Sequence, residues 1–196
     1  MKIYVDFDCV LVNTNDVWLN WVNSKYDKNY VLSDIKYYHF IIDQIGIEVL
    51  DWWFNPDNYI NDYISPFPGA ENFIRDLQNE YGKDNIFIAT HSHPNIINSK
   101  EKYISEIFNI NKKNIIQTPD KWNYTDDGIL IDDFIRNILI HKAINKKPGI
   151  LFNYDGKYLW ADKQIQSNLI ENNPLYAEKY SEVITLLKGI YGKCNS

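Results

Sequence analysis

The sequence lacks a long apolar run, has little cysteine and carries no excess of positive charge. No stretch of its 196 residues is long and apolar enough to cross a bilayer. The two cysteines, Cys9 and Cys194, form neither a disulfide framework nor the spacing of a metal site. A net charge of −6 leaves no broad basic surface for polymeric phosphate. These absences argue against a membrane-spanning protein, a disulfide-stapled one, and DNA or RNA as partners.

The beginning of the chain also lacks the charged leader and apolar segment of a signal peptide, so we expect a cytoplasmic protein. The length suffices for one substantial core with a small accessory module, and it leaves a homodimer as well as a monomer open. Aromatic residues, by contrast, are abundant at 15%, with fifteen Tyr and six Trp. Such an excess indicates either a large core or a stacking pocket.

Short apolar runs of strand length recur along the chain, and helical patterns lie between them. The runs are β-branched and apolar on both faces, as in a parallel sheet covered by helices. This alternation predicts an α/β fold with a doubly wound, Rossmann-like parallel sheet. The predicted strands are Ile3–Val5, Ile86–Ala89, Asn114–Ile116, Ile129–Ile131 and Gly149–Phe152. The predicted helices are Ala70–Tyr81, Ile96–Phe108, Ile135–Ile144 and Tyr176–Ile190.

Residues 14–66 interrupt this alternation. They contain helix-like patterns and many aromatic side chains but no convincing buried strand, and the turn residues 65–69 lead back to the sheet. We therefore predict a core domain formed by residues 1–13 and 67–196, with residues 14–66 as a small helical cap over the strand ends. Its aromatic side chains form either the core of this insertion or a binding surface.

Paired carboxylates follow two of the predicted strands. Asp6 and Asp8 flank Phe7 after the first strand, and Asp132 and Asp133 follow a later one. Alone, such a pair is a common helix cap or turn former. In a parallel sheet, however, the strand ends converge. Crowded carboxylates repel each other unless a cation or a proton is shared, and Mg²⁺ prefers oxygen ligands. The four aspartates therefore predict a Mg²⁺ site.

Two further residues near the strand ends suit phosphoryl transfer, which needs a nucleophile, a cation and donors around the phosphate oxygens. Asp6 is the candidate nucleophile, because carboxylates form aspartyl-phosphate intermediates. Asp8 is the candidate acid and base, protonating the leaving oxygen and later activating water. Thr90 and Lys121 are candidates for holding the phosphate.

The ordered motifs resemble those of the haloacid dehalogenase (HAD) superfamily of phosphatases, and most specifically its 5'(3')-deoxyribonucleotidase group. The resemblance covers roughly Lys2 to Phe152. The segments that carry it are Asp6-Phe7-Asp8-Cys9-Val10, Pro66-Phe67-Pro68-Gly69-Ala70, Thr90, Thr118-Pro119-Asp120-Lys121 and Leu130-Ile131-Asp132-Asp133.

The resemblance implies a nucleophilic Asp6, an acid/base Asp8 and a HAD-like fold with the cap inserted after the first strand. It also implies Mg²⁺ held by Asp6, by the backbone carbonyl of Asp8 and by Asp133 or Asp132. The nucleobase would lie against cap aromatics, for which the matching positions are Tyr38, His39, Phe40, Trp52 and Trp53.

Three positions depart from the family pattern. His91 stands where the family often has a serine at the phosphate, with Ser92 displaced by one position. Pro119 stands where the family commonly has an arginine. Thr14 stands where the family has an aromatic side chain, and Trp18, one helical turn later, is the candidate substitute. These changes affect base recognition more than the chemistry.

The sequence thus predicts a Mg²⁺-dependent phosphatase that acts on (deoxy)nucleoside monophosphates through an aspartyl-phosphate on Asp6. Two alternatives stay open at this stage: a HAD phosphatase for another small phosphate ester, and a catalytically silent nucleotide-binding protein on the same fold.

Overall fold

In a computed structural model, which describes residues 2–58, 64–162 and 175–194, six parallel strands form one sheet in the order β3-β2-β1-β4-β5-β6. This arrangement confirms the predicted doubly wound α/β fold. The strands are β1 Lys2–Val5, β2 Ile86–Thr90, β3 Ile115–Gln117, β4 Gly128–Asp132, β5 Gly149–Phe152 and β6 Leu175–Ala177. The helices are α1 Thr14–Tyr26, α2 Phe40–Ile45, α3 Asp51–Phe54, α4 Ala70–Tyr81, α5 Ile97–Phe108, α6 Ile135–Asn145 and α7 Tyr180–Cys194.

The sixth strand corrects one prediction. Leu175–Ala177 pairs in parallel with β5, and the helix that was expected to begin at Tyr176 begins at Tyr180. Three residues are too few to show the alternation of a strand, so the apolar pattern runs into that of the following helix. The strand forms because the exposed edge of β5 supplies backbone partners.

The central strands are buried on both faces, which explains their β-branched composition. Val5, Ile88 and Ile131 lie side by side in register, each without solvent exposure. Amphipathic α4 covers the sheet with a stripe of buried residues that includes Phe73 and Leu77. Helices therefore bury the sheet and leave the carboxyl ends of β1, β2 and β4 together at one edge.

The segment inserted between β1 and α4, residues 14–66, leaves and returns through paired backbone. The Asn13 amide donates to the Ser65 carbonyl at 3.1 Å, and the Ser65 amide donates to Asn13 Oδ1 at 2.7 Å. Its described part contains α1, α2 and α3 and buries Trp52 and Val49 almost completely. The division into a core domain and a cap stays a prediction.

None of the helices described in the structure has the length and apolar character that crossing a membrane requires.

Candidate active site

The candidate site begins where β1 ends. The Asp6 amide still continues the sheet by donating to the Ile131 carbonyl of β4 at 2.9 Å. Beyond it the chain turns sharply: the Leu11 amide donates back to the Phe7 carbonyl at 2.9 Å, and Cys9 takes a left-handed conformation with φ 59°. This turn holds Asp6 and Asp8 at the carboxyl edge of the sheet, where α/β folds bind their ligands.

Three aspartates meet at this edge. Carboxylate oxygens of Asp6, Asp132 and Asp133 lie within 4.8 Å of one another, and all three residues are buried. Lys121 pairs with two of them, its Nζ lying 2.6 Å from Asp6 Oδ2 and 2.7 Å from Asp132 Oδ2. The structure thus brings together residues that are more than 120 positions apart in the sequence.

The two neighbouring aspartates of β4 have different surroundings. Both oxygens of Asp132 accept hydrogen bonds, from Lys121, from the Phe134 amide and from the Asn137 side chain, at 2.7 to 3.1 Å. Asp133 accepts a bond from the Trp160 indole at 2.9 Å on Oδ2. Asp132 therefore organises the site, and Asp133 is the better placed of the two to bind a cation.

Electrostatics support a cation at this cluster. Burial raises the pKa of Asp6 from 3.8 to about 7, since the nearby charge of Lys121 offsets the burial only in part and Asp132 and Asp8 raise it further. Burial, followed by the charges of Asp132 and Asp6, also raises the pKa of Asp133 well above its ordinary value. Carboxylates that resist ionisation in this way are stabilised by a bound metal ion.

Lys121 responds in the opposite sense. Burial lowers the pKa of its ammonium, but the carboxylates of Asp132 and Asp6 outweigh the burial and raise the pKa above its usual value. Lys121 is only 4% exposed and therefore provides a fixed positive charge beside Asp6. A phosphate bound at Asp6 would lie next to this charge.

Asp8 is held by a pair of donors that the sequence analysis missed. Lys100 Nζ lies 2.6 Å from Asp8 Oδ2, and Thr14 Oγ1 donates to Asp8 Oδ1 at 2.8 Å. Lys100 is fully buried in α5, on the same face as Ile104 and Phe108. A lysine on the apolar face of an amphipathic helix was the available signal, because such a side chain needs a buried partner.

The segment after β2 supplies groups suited to phosphate. Thr90 is fully buried, and the hydroxyls of Thr90 and Ser92 have no hydrogen-bond partner among the residues that the structure describes. Buried hydroxyls usually have one. His91 lines the cavity, and partial burial of its ring together with the charges of Lys100 and Lys121 lowers its pKa. Ser92, displaced by one position in the sequence, is thus present beside His91.

A cavity of about 510 Å³ lies between the sheet edge and the inserted segment, and Thr90, fully buried, lies behind its lining rather than in it. Carboxylates occupy its floor, and aromatic side chains from the inserted segment form much of its wall. Its lining includes Asp6, Asp8, Asp133, His91, Ser92, Lys121, Trp18, Tyr38, His39, Trp53, Phe54, His93, Trp122 and Arg136.

The structure brings only some of the predicted base-pocket residues to the cavity. Trp18, Tyr38, His39 and Trp53 line it, and Trp18 packs edge-on against Trp53 at 5.7 Å. Trp18 therefore lines the cavity, and its role as the substitute for the missing aromatic at Thr14 stays a prediction.

Two predicted pocket residues lie elsewhere, which corrects the sequence interpretation. Trp52 is 1% exposed in the core of the inserted segment, because successive residues of a helix point about 100° apart and Trp53 faces the cavity. Phe40 packs edge-on against Tyr30 and Tyr37 at 6.0 and 5.7 Å. Neither is among the residues that line the cavity.

Two ring contacts connect the inserted segment to the sheet edge beside the cavity. Tyr38 stacks on Phe134 with ring centroids 4.4 Å apart, and Phe54 lies 4.3 Å from the ring of His93. Phe134 and His93 follow β4 and β2. The sequence analysis named neither Phe54 nor Phe134 as a site residue, because contacts between separate segments leave no local pattern.

A sequence profile of the family described as 5' nucleotidase, deoxy (pyrimidine), cytosolic type C protein (NT5C) matches residues 1–168. No curated protein matches the sequence significantly. Among solved structures, a HAD family hydrolase from Deinococcus radiodurans R1 with bound phosphate and sodium has a TM-score of 0.62. It shares 13% identity, and the alignment covers 96% of this chain and 95% of that chain.

Two further solved structures agree in fold. A haloacid dehalogenase-like hydrolase from Streptococcus pneumoniae has a TM-score of 0.58 at 11% identity, over 95% of this chain and 97% of that chain. A HAD phosphatase from Thermococcus onnurineus has a TM-score of 0.53 at 13% identity, over 96% and 99% respectively. At these identities the likeness establishes the HAD-like fold.

Proposed function

We propose a specific reaction for this chain, which belongs to the NT5C family of deoxy (pyrimidine) 5' nucleotidases. In this proposal it hydrolyses (deoxy)nucleoside monophosphates with Mg²⁺ and through an aspartyl-phosphate on Asp6. Family membership confirms the predicted class of phosphoric monoester hydrolase and the resemblance to HAD phosphatases. The metal, the substrate and the intermediate are proposals that rest on the site.

The observation that carries the proposal is the charge at the sheet edge. The site holds four carboxylates, those of Asp6, Asp8, Asp132 and Asp133, and two ammonium groups, those of Lys100 and Lys121. When all four carboxylates are ionised, four negative charges less two positive ones leave two negative charges, which one divalent cation balances. Oxygen-rich surroundings with carboxylate ligands suit Mg²⁺.

Asp6 and Asp133 are the side chains that would hold the ion, and the backbone carbonyl of Asp8 would complete the protein's share. Asp132 is the weaker candidate for direct contact because both of its oxygens already accept hydrogen bonds. When bound, Mg²⁺ would neutralise charge on the phosphate oxygens and on the Asp6 carboxylate.

In the first step Asp6 attacks the phosphorus of the ester. The new bond joins Asp6 Oδ to phosphorus, and the bond between phosphorus and the ester oxygen breaks. Asp8 gives a proton to that oxygen, so the nucleoside leaves as a neutral alcohol. Lys121, 2.6 Å from Asp6, supports the negative charge that collects on the transferring group.

In the second step water attacks the same phosphorus atom. Asp8 now takes a proton from the water, and the bond between phosphorus and Asp6 breaks to release inorganic phosphate. Asp6 is restored as a carboxylate and Asp8 as an acid. One residue serves both steps because it lies two positions from the nucleophile on the same turn.

Phosphate recognition falls to the segment after β2. The hydroxyls of Thr90 and Ser92, which have no hydrogen-bond partner in the part of the chain that the structure describes, would donate to the phosphate oxygens. His91, which lines the cavity, is the third candidate in this segment.

The aromatic side chains in the wall of the cavity favour a substrate whose leaving group carries a planar base. Trp18, Tyr38 and Trp53 present ring surfaces to a space of about 510 Å³, and pockets of 300–1,000 Å³ are typical for small ligands. Stacking on such rings contributes about 1–3 kcal/mol per base. A sugar phosphate or an amino-acid phosphate would make little use of these rings.

The test is phosphate release from deoxy- and ribonucleoside 5'- and 3'-monophosphates, phosphoserine and glucose 6-phosphate, with Mg²⁺ and with EDTA. We expect nucleotides to be preferred and EDTA to abolish release. The Asp6→Asn variant should be inactive, whereas Asp126→Asn, which changes an exposed carboxylate at the opposite end of β4, should match the wild type.

Each part of the proposal has its own contradicting result. Activity that survives EDTA would contradict the proposed need for a metal, and activity in Asp6→Asn would contradict the assignment of Asp6 as the nucleophile. Equal turnover of all the esters would favour a phosphatase for another small phosphate. No release from any ester would favour a silent nucleotide-binding protein.

A further inference from the structure

We propose that Lys100 and Thr14 form a two-point clamp that positions the Asp8 carboxylate for the hydrolysis of the aspartyl-phosphate. This inference rests on the proposed function, because it assigns a task to two residues beside the acid/base group. They are positioning residues, since each acts on the reaction through Asp8.

Lys100 is the first point of the clamp. Its Nζ lies 2.6 Å from Asp8 Oδ2 and donates to the His91 carbonyl at 3.1 Å, and the residue has no solvent exposure. Removing an ammonium group from water is costly unless its partners are well placed. Because Lys100 lies in the first turn of α5, this contact ties that helix to the acid/base group.

Thr14 is the second point. Its hydroxyl donates to Asp8 Oδ1 at 2.8 Å, and the residue is also fully buried. Thr14 is the first residue of α1, so the bond also connects the start of the inserted segment to the catalytic turn. The position resembles one at which related enzymes have an aromatic side chain, and here it holds a donor instead.

Together the two donors fix the plane of the carboxylate. One bond to each oxygen prevents rotation of the Asp8 side chain, while 19% exposure of that side chain leaves it open to the cavity. The second step needs such a fixed base, because the attacking water is small and mobile and offers few contacts of its own. A base that is already held in one orientation loses little conformational freedom when the transition state forms.

The division of labour between the two buried lysines supports this assignment. Lys121 pairs with Asp6 and Asp132, which are the nucleophile and the organising carboxylate. Lys100 pairs with Asp8 from α5, on another side of the site. A change at Lys100 should therefore affect the steps that use Asp8 and leave the contacts of Lys121 with Asp6 in place.

The test is acid-quenched, pre-steady-state kinetics of the full chain with Mg²⁺ and with substrate in excess, using a nucleoside monophosphate and p-nitrophenyl phosphate. In Lys100→Met we expect hydrolysis of the phosphoenzyme to slow about 100-fold, the scale of general base catalysis. With p-nitrophenyl phosphate, whose good leaving group needs no acid, phosphorylated protein should then accumulate toward one phosphoryl group per chain. The nucleotide, which uses Asp8 in both steps, should accumulate less. Lys102→Met, an exposed lysine on the same helix, is the matched control and should behave as wild type.

Thr14→Val provides a second variant of nearly the same shape in case Lys100→Met does not fold. It should slow phosphoenzyme hydrolysis about 10-fold, the effect of one neutral hydrogen bond. Adding either change to Asp8→Asn should cause little further loss, because residues that act as a unit are not additive.

The outcomes separate the clamp from the proposed function. Folded variants that lose activity on p-nitrophenyl phosphate without accumulating phosphoenzyme would overturn the clamp, as would unchanged turnover in Thr14→Val. Either result leaves Asp6 as the nucleophile. A wild type without any phosphoenzyme, together with an active Asp6→Asn, would overturn the proposed function itself.

Discussion

The sheet edge and the inserted segment face each other across one cavity, but different forces hold their side chains. At the edge, Asp6, Asp132 and Lys121 are buried and joined by charged contacts of 2.6–2.7 Å. In the inserted segment, the rings of Trp18 and Trp53 pack edge-on at 5.7 Å, and a single neutral hydrogen bond from Trp18 Nε1 to the Val49 carbonyl, at 2.9 Å, anchors the first of them. Charged contacts in a buried site tolerate little displacement, whereas ring contacts tolerate much more.

This difference separates the two tasks of the enzyme. The edge holds the reacting groups in one arrangement, which phosphoryl transfer needs. The inserted segment offers apolar surface, which a base can use in more than one way. Mutations on the two sides should therefore have unlike effects, and the following predictions rank them from the largest to the smallest.

The largest effect should follow Asp133→Asn. Losing this carboxylate removes a proposed metal ligand, so we expect activity at saturating Mg²⁺ to fall at least about 10³-fold. The metal-free protein should become more stable, because a buried charge beside Asp132 and Asp6 is gone. Kinetics and thermal unfolding in EDTA measure the two effects. A Mg²⁺ affinity equal to that of the wild type would show that Asp132 is the direct ligand.

The pH dependence of stability should reveal the strained carboxylates of the edge. Asp6 has its pKa raised from 3.8 to about 7 in the folded protein, so the folded state binds the extra proton. The protonation of Asp6 therefore contributes to the free energy of unfolding, on the order of 4 kcal/mol. This contribution is fully present below pH about 4 and is lost as the pH rises through about 7. Unfolding by urea in EDTA from pH 5 to 8 should show this fall.

Added Mg²⁺ should reverse the trend, because metal binding requires deprotonated ligands. The Asp6→Asn variant is the control and should show a flatter pH profile in EDTA. A stability that rises across this range in the wild type would contradict the assigned pKa.

Trp52→Ala tests the interior of the inserted segment. The side chain is 1% exposed, so its loss should reduce the free energy of unfolding by about 3–5 kcal/mol. KM for the nucleotide should change little under conditions where the variant is folded. Urea unfolding and steady-state kinetics on one preparation check both statements. A large rise in KM with normal stability would return Trp52 to the base pocket.

Trp53→Ala, one residue along, should have the opposite profile and the smallest total effect. Trp53 lines the cavity, so its loss should raise KM for nucleotides by about 5- to 150-fold, corresponding to about 1–3 kcal/mol of stacking. Its effect on unfolding should be less than that of Trp52→Ala. An unchanged KM for nucleotides, measured beside p-nitrophenyl phosphate, would place the base elsewhere.

Much of the edge was predictable from the sequence because its signals are local. One apolar strand pattern ends at Asp6 and Asp8, and a second ends at Asp132 and Asp133. Each pattern predicts the strand and also puts the carboxylates at its carboxyl end. Parallel topology then brings these strand ends together. The structure confirms the predicted sheet, and the family match confirms the predicted superfamily and enzyme class.

The missing parts depend on contacts between distant segments. Lys100 lies 92 residues from its partner Asp8, and Trp160 lies 27 residues from Asp133. The residues next to Lys100 and Trp160 in the sequence do not indicate which aspartate each of them contacts. Trp52 and Trp53 show a second limit: the sequence left open whether these rings form the core of the inserted segment or a binding surface, and the packing of α3 decides which ring reaches the cavity.

The backbone joint between Asn13 and Ser65 has a consequence for how such an enzyme changes over evolution. Because the segment leaves and returns at neighbouring points, it can be exchanged for a shorter or longer one without moving β1. Nearly all of the reacting groups lie outside that joint. Thr14 stands just inside it, so a transplanted segment would have to bring its own donor to Asp8 or lose one of the two bonds that hold it.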